Sequence, residues 1–248
     1  MKPAEFDRHA ATYDGGLDNP IKRLLGNSPD AFIAVKARWL LRREPDLRAD
    51  TPNGGKLSLL DYGCGAGDLM RVLAGIGAKA DFTGCDVSQG MLDQVVQRWP
   101  AALGPASVGP VPSLALQVGA RTPFGDGQFD IATISAVLHH VPVAERPAVY
   151  AELARVLKPG GRLYVVEHNP RNPLVRYVIA RTPIDENAIL LDPREVRQGL
   201  RDTEAYQLET DYLMFMPPGL AFLRPIDRAL AWLPLGAQYA VAARKPGG

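Results

Sequence analysis

The sequence predicts an α/β fold, doubly wound around a mostly parallel sheet. Three observations carry that reading. Short apolar runs alternate with helix-period segments, the pattern of successive βαβ units. A glycine-rich turn, Gly63-Cys64-Gly65-Ala66-Gly67, follows directly on one apolar run and opens a helical one. A carboxylate, Asp86, closes the next apolar run, roughly twenty residues beyond that turn.

Taken in order, residues 57–62 form the first strand. A helix follows over 68–76, with Leu69, Val72, Leu73 and Ile76 on one face. Residues 80–86 form the second strand, and a helix over 89–99 repeats Met91, Leu92, Val95, Val96 and Trp99 at helical spacing. Prolines 100, 105, 110 and 112 make 100–112 a loop. The third and fourth strands fall near 114–118 and at 129–135. A helix over 145–157 stacks Val149, Leu153, Val156 and Leu157 and stops at Lys158-Pro159-Gly160-Gly161, where proline lacks a donor and glycine accepts positive φ. Strand five is 162–167. Helices are expected near 173–181 and 193–204, and final strands at 209–216 and 237–243. In such a sheet the ligand sits beyond the carboxyl ends of the strands, at the switch point.

Composition excludes several classes. The chain has 248 residues, 46% hydrophobic and 22% charged, which is globular rather than disordered or fibrous, and a single domain accounts for it. Its 28 basic and 27 acidic residues leave a net charge of +1, without the basic excess of a dedicated nucleic-acid binder. Two cysteines, Cys64 and Cys85, make neither a disulfide framework nor a zinc site. The first residues are too polar for a signal peptide, and no apolar run approaches the ~20 residues of a membrane span. A cytoplasmic protein is expected.

Alternating glycines let the main chain turn sharply and let a ligand approach it closely, while the next helix offers its first N–H groups. Any tight strand-to-helix turn can use the same residues. A dinucleotide fold seats its diphosphate on G-x-G-x-x-G, whereas the spacing here is G-x-G-x-G. Asp61 and Asp68 flank the loop and oppose a diphosphate. They favour a ligand with positive charge, such as S-adenosylmethionine, which carries a sulfonium and an ammonium but no phosphate. Asp86 can accept both ribose hydroxyls of any adenosine cofactor; it can also serve as a turn or cap residue, since Ser88 and Gly90 follow.

Four stretches in order resemble the class I S-adenosylmethionine-dependent methyltransferases: Leu59 through Gly67; Gly84-Cys85-Asp86-Val87-Ser88; Phe129-Asp130 through Val137-Leu138-His139-His140; and Leu157 through Gly161. The lead-in Phe6 through Asp14 is similar to the cap helix of the small-molecule branch. The resemblance implies a seven-stranded Rossmann-like sheet with an antiparallel last strand. It divides the single domain into a helical cap (1–50), a cofactor-binding core (55–168) and substrate-side elements (169–248). It also implies roles. Gly63, Cys64, Gly65 and Gly67 hold the methionine portion, with Asp61 near its amino group and Tyr13 reaching the same end. Asp86 binds ribose, Val87 packs on adenine, and Ser135 lines the cleft. The family's aspartate on the adenine amino group is missing from Gln117 through Phe124, which leaves the main chain of Gly119 and Ala120, or Arg121, for that contact.

Methyl transfer needs aligned reactants in a dry cleft, and a base if the acceptor must lose a proton. His139, His140 and His168 are the candidate bases, with Glu167 beside the last; a histidine after a strand can equally fix a loop. Their spacing matches no metal motif, and no metal is expected. Arg171, Arg176 and Arg181 can meet an anionic acceptor or simply face solvent. Residues 212–235, with Tyr212, Met214, Phe215, Met216, Phe222 and Trp232, can cover an apolar acceptor, finish the core or make a homodimer contact. The expected function is methylation of a small metabolite or natural-product intermediate. A nicotinamide oxidoreductase and a non-catalytic methyltransferase-like binding subunit are the alternatives.

Overall fold

The computed structural model describes residue 7 and residues 29–50, 54–102, 111–203, 207–218 and 221–247. Among them, β1 (Leu57–Tyr62), β2 (Ala80–Asp86), β3 (Ser113–Leu116), β4 (Phe129–Ser135), β5 (Leu157–His168), β6 (Glu209–Leu213) and β7 (Gln238–Arg244) form one sheet. Its order is β3-β2-β1-β4-β5-β7-β6. The first five strands pair in parallel, and β7 runs antiparallel to both β5 and β6. The order reverses between β1 and β4, so the loops after these two strands diverge and open a crevice.

Helices α1 (Pro29–Arg43), α2 (Asp68–Gly75), α3 (Gln89–Ala102), α4 (Arg146–Val156), α5 (Pro173–Ile179), α6 (Pro193–Arg201) and α7 (Arg224–Ala229) accompany the sheet. Successive strand residues point to opposite faces. Leu60 and Tyr62 therefore pack with Val149, Leu153, Val196 and Leu200 of α4 and α6. Leu59 packs with Trp39, Leu40, Leu69 and Leu73 of α1 and α2. Both faces are thus covered, which is why the central strands read as continuous apolar runs.

The bounds expected for β1, β2 and β4 match those found. Elsewhere the structure differs for local reasons. Helix α3 continues through Pro100 to Ala102, beyond the expected stop, and residues 103–110 lie outside the described set. Strand β3 ends at Leu116, and Val118 makes only an isolated bridge to Arg121. The segment Lys158–Gly161 belongs to β5 rather than to a separate turn. Pairing passes from Phe129↔Leu157 to Ile131↔Arg162, so these residues bulge out of register with Gly160 at φ 74°. Helices α5 and α6 start at prolines and are capped by Asn172 and Asp192; Asp192 forms a full capping box with Glu195.

Candidate active site

The glycine loop leaves β1 at the sheet's carboxyl edge. Gly63, Gly65 and Gly67 all adopt positive φ, at 66°, 53° and 74°. Two of them are also hemmed in: a Cβ on Gly63 would lie 2.6 Å from Val137 Cγ2, and one on Gly67 2.9 Å from Val95 Cγ1. Gly65 is different, because a Cβ there would meet nothing within 4 Å. That side of the loop is open. Helix α2 begins directly after Gly67.

Asp86 closes this loop onto β2. Its Oδ2 accepts the Gly65 N–H at 2.9 Å, and its Oδ1 accepts the Ser88 N–H at 2.9 Å. Burial lifts its pKa above the usual carboxylate value, although these N–H groups oppose the shift. Cys64 donates its N–H to the Cys85 carbonyl at 2.9 Å; both cysteines are buried free thiols. Val87 is buried just past the strand. The exposed Gly119, at φ 58°, has open space where a Cβ would stand, and the neighbouring Ala120 carbonyl accepts the Tyr62 hydroxyl at 2.9 Å. This turn exposes main chain at Gly119, while Arg121 stands 3.5 Å from Glu152.

Asp61 is only 3% exposed. Burial pushes its pKa up to about 7, against a hydrogen bond from Thr133 Oγ1 at 2.8 Å and the nearby charge of Lys36. Lys36, from α1, is itself 7% exposed and donates to Ser135 Oγ at 2.7 Å. Sequence reasoning missed it. Its one signal was a lysine at the buried spacing of Ile33, Ala37 and Leu40. A buried carboxylate and a buried ammonium at one end of the crevice suit a zwitterionic amino-acid group. The expected role of Asp68 needs correction: Arg71 and Arg98 lie 3.2 and 3.3 Å from its Oδ1 and balance its charge. The negative border of the loop is therefore Asp61 and Asp86. An open glycine cradle, two desolvated carboxylates and main-chain donors fit S-adenosylmethionine and disfavour a diphosphate. Tyr13 lies outside the described residues.

The loop after β4 starts with Ala136 at φ 58°, a strained value for a residue with a side chain. Glu167 on β5 ties this loop down. Its Oε1 accepts the Val137 and Leu138 N–H groups at 3.0 and 2.7 Å, and its Oε2 lies 2.6 Å from His139 Nδ1. Burial would raise Glu167, but the His139 charge and these hydrogen bonds hold it well below the usual range. Burial likewise disfavours charge on His139, yet Glu167 and Asp185 lift its pKa. With 1% exposure and both ring nitrogens facing carboxylates, His139 positions the loop and presents no nitrogen to an acceptor. His140 is slightly more open, 3.5 Å from Asp185 Oδ1.

His168 ends β5 and opens onto a cavity of about 170 Å³. Val175, Val178 and Ile179 of α5 and Met214, Phe215 and Met216 beyond β6 are among the residues of its wall. Phe32 of α1 also lines it, one helical turn before Lys36. The same helix face thus joins the cavity to the cofactor crevice. Among the expected arginines, Arg171 is paired with Asp192 at 2.8 Å and Arg181 stacks on Tyr177 at 3.7 Å, so neither is directed at an acceptor. A larger cavity of about 350 Å³ between α1 and α7, containing Arg38, Arg42 and Arg228, shares Met214 with the first but is lined by none of the expected catalytic or cofactor-binding residues.

Comparison with known proteins agrees with this geometry. The profile of the methyltransferase domain family matches residues 60–165. A demethylmenaquinone methyltransferase of Parafrankia is 34% identical over 190 residues, 73% of this chain and 71% of that protein. A 2-phytyl-1,4-naphtoquinone methyltransferase of Synechococcus elongatus is 37% identical over 120 residues, 48% of this chain and 49% of that one. The chain thus spans about half the length of the first such curated relatives. Among solved structures, a SAM-dependent methyltransferase of Thermotoga maritima superposes with a TM-score of 0.66 at 16% identity, over 98% of this chain and 100% of that one. Magnesium protoporphyrin IX methyltransferase of Synechocystis, solved with bound SAH, gives 0.59 at 20% identity over 87% and 82%. Sheet order, the glycine loop tied to Asp86 and the sequence relatives converge: the chain belongs to the class I S-adenosylmethionine-dependent methyltransferases.

Proposed function

We propose that the protein methylates a small apolar acceptor of the quinone class. The single observation carrying this reading is the apolar cavity that ends in His168 and shares the Phe32–Lys36 face of α1 with the cofactor crevice. Quinone methyltransferases among the relatives support it. A net charge of +1 supports a small acceptor over nucleic acid, and a cytoplasmic site of action is part of the same proposal. No helix among the described residues is long and apolar enough to cross a membrane.

When bound, the cofactor supplies a methyl carbon activated by its sulfonium. The protein's part is alignment and exclusion of water. Asp61 holds the amino group, and Lys36 with the loop amides holds the carboxylate. Asp86 exchanges part of its hydrogen bonding to Gly65 and Ser88 for ribose hydroxyls. Val175, Val178, Met214 and Phe215 enclose the acceptor's apolar body. His168, Asn172 and Gln238 are the polar residues lining the cavity, and in this reading the His168 imidazole takes the acceptor's proton.

The test is incubation with labelled S-adenosylmethionine and reduced naphthoquinones with and without apolar side chains, read by mass spectrometry. Methylated product, formed faster on substituted acceptors, is expected. Cofactor binding without turnover on any acceptor would instead favour a binding subunit. NADH binding in place of S-adenosylmethionine would overturn the cofactor assignment as well.

A further inference from the structure

We propose that His139, His140 and Asp185 form a site for one divalent transition-metal ion of the zinc type, held between the loop after β4 and the turn Pro183–Asp185. The proposal stands independently of the acceptor assignment.

Three observations carry it. First, the donors converge. His139 Nε2 and His140 Nε2 lie 3.4 and 3.5 Å from the same oxygen, Asp185 Oδ1, and all three ligand atoms fall within 4.8 Å of one another. Metal bonds of about 2.0–2.1 Å in a tetrahedron place neighbouring donors about 3.4 Å apart. Second, the other nitrogen of His139 is already committed. Nδ1 pairs with Glu167 Oε2 at 2.6 Å, and Glu167 is fixed in turn by two main-chain N–H groups. A carboxylate behind a histidine sets the tautomer and turns Nε2 outward as a ligand. Third, that Nε2 is fully buried and makes no hydrogen bond of acceptable geometry. Asp185 Oδ1 stands 3.4 Å from it, beyond the usual range of about 2.7–3.2 Å for a hydrogen bond, and that separation suits two atoms sharing a cation.

Two imidazoles and one carboxylate select zinc, cobalt or nickel over magnesium or calcium, which prefer all-oxygen shells. The sequence reading expected no metal because its spacing rules look along the chain, whereas Asp185 reaches the histidines only through the fold. The consequence is mechanical. Ile184 packs on Ala66 and Met91, so the turn that supplies Asp185 also covers the glycine loop. Ile189 N–H donates to the His139 carbonyl at 2.7 Å, and Arg146 donates to the Ile189 carbonyl at 2.7 Å, which already guide this segment onto the histidine loop. A bound ion locks it there.

The experiment strips the full chain with chelator and titrates zinc or cobalt by calorimetry and visible absorption. One equivalent is expected to bind, cobalt is expected to show the intense bands of a low-coordinate nitrogen-containing site, and the melting temperature is expected to rise. His140→Ala and Asp185→Asn should each weaken binding by at least about tenfold, and Glu167→Gln by about 10–100-fold. The weak spectrum of an all-oxygen octahedral site in the wild type, absence of binding, or affinity unchanged in both His140→Ala and Asp185→Asn would each overturn the proposal. The wild-type cobalt spectrum decides the matter even if a variant fails to fold.

Discussion

The main-chain N–H of Gly65 donates to the carboxylate of Asp86 at 2.9 Å, so the glycine loop is tied to the very residue proposed to grip the cofactor's ribose. Replacing Asp86 therefore removes two things at once. Asp86→Ala should weaken S-adenosylmethionine binding at least about tenfold, the cost of a charge-assisted contact, and should also lower the melting temperature. Asp86→Asn keeps an acceptor for Gly65 and should retain most of the stability while losing affinity. Calorimetry and thermal melts on both variants separate the two effects.

The three loop glycines should not respond alike to alanine. At Gly67 the substitution combines a left-handed backbone, about 1–2 kcal/mol, with a clash against Val95 of about 1–3 kcal/mol. At Gly65 only the backbone cost applies, because the new methyl enters open space. Gly67→Ala should thus be the less stable protein. Gly65→Ala should fold well yet bind the cofactor poorly, since its methyl occupies the crevice. Equal losses of affinity and stability at both positions would refute this distinction.

Cofactor affinity should depend on the ionisation of Asp61. Its folded pKa, raised by burial to about 7, lies above the unfolded value of 3.8. In the cofactor-free protein its stabilising contribution is complete below the unfolded value and is lost as pH rises towards 7. Binding of an ammonium needs the ionised form, so affinity should rise through pH 7 and level off above it. Below the midpoint the fall approaches about tenfold per pH unit. Asp61→Asn should flatten both profiles, and titrations across pH 5–9 would show it.

His168→Ala tests the acceptor side alone. The side chain lines the apolar cavity, and its ring centroid stands 5.2 Å from that of His139. If it takes the acceptor's proton, kcat should fall by about 10²–10⁴ while the cofactor Kd stays within about twofold. A matched loss of cofactor affinity would place His168 in the wrong half of the site.

The cofactor half was legible because its signals are local. Gly63, Gly65 and Gly67 announce a turn, and Asp86 ends a strand whose length the apolar pattern fixes. The acceptor half was less legible because its parts come from distant segments. Phe32, His168, Val178 and Met214 meet only after β5 and β6 are placed beside α1 and α5. Lys36 gave little warning, since a lone lysine on a helix ordinarily faces solvent. Asp61 is buried beside the loop, while Asp68 is answered by Arg71, its i,i+3 neighbour on α2, and by Arg98, which reaches it only through the fold.

Strand β7 fills the gap between β5 and β6, hydrogen-bonded to each along its length. During synthesis β6 emerges first and has no neighbour to join. The ribosome must deliver β7 before the wall that carries Met214 and Phe215 can take its place. A nascent chain arrested ahead of Gln238 should therefore expose an unpaired β6 to chaperones and proteases, with the crevice near Gly65 already shaped and the acceptor cavity still absent.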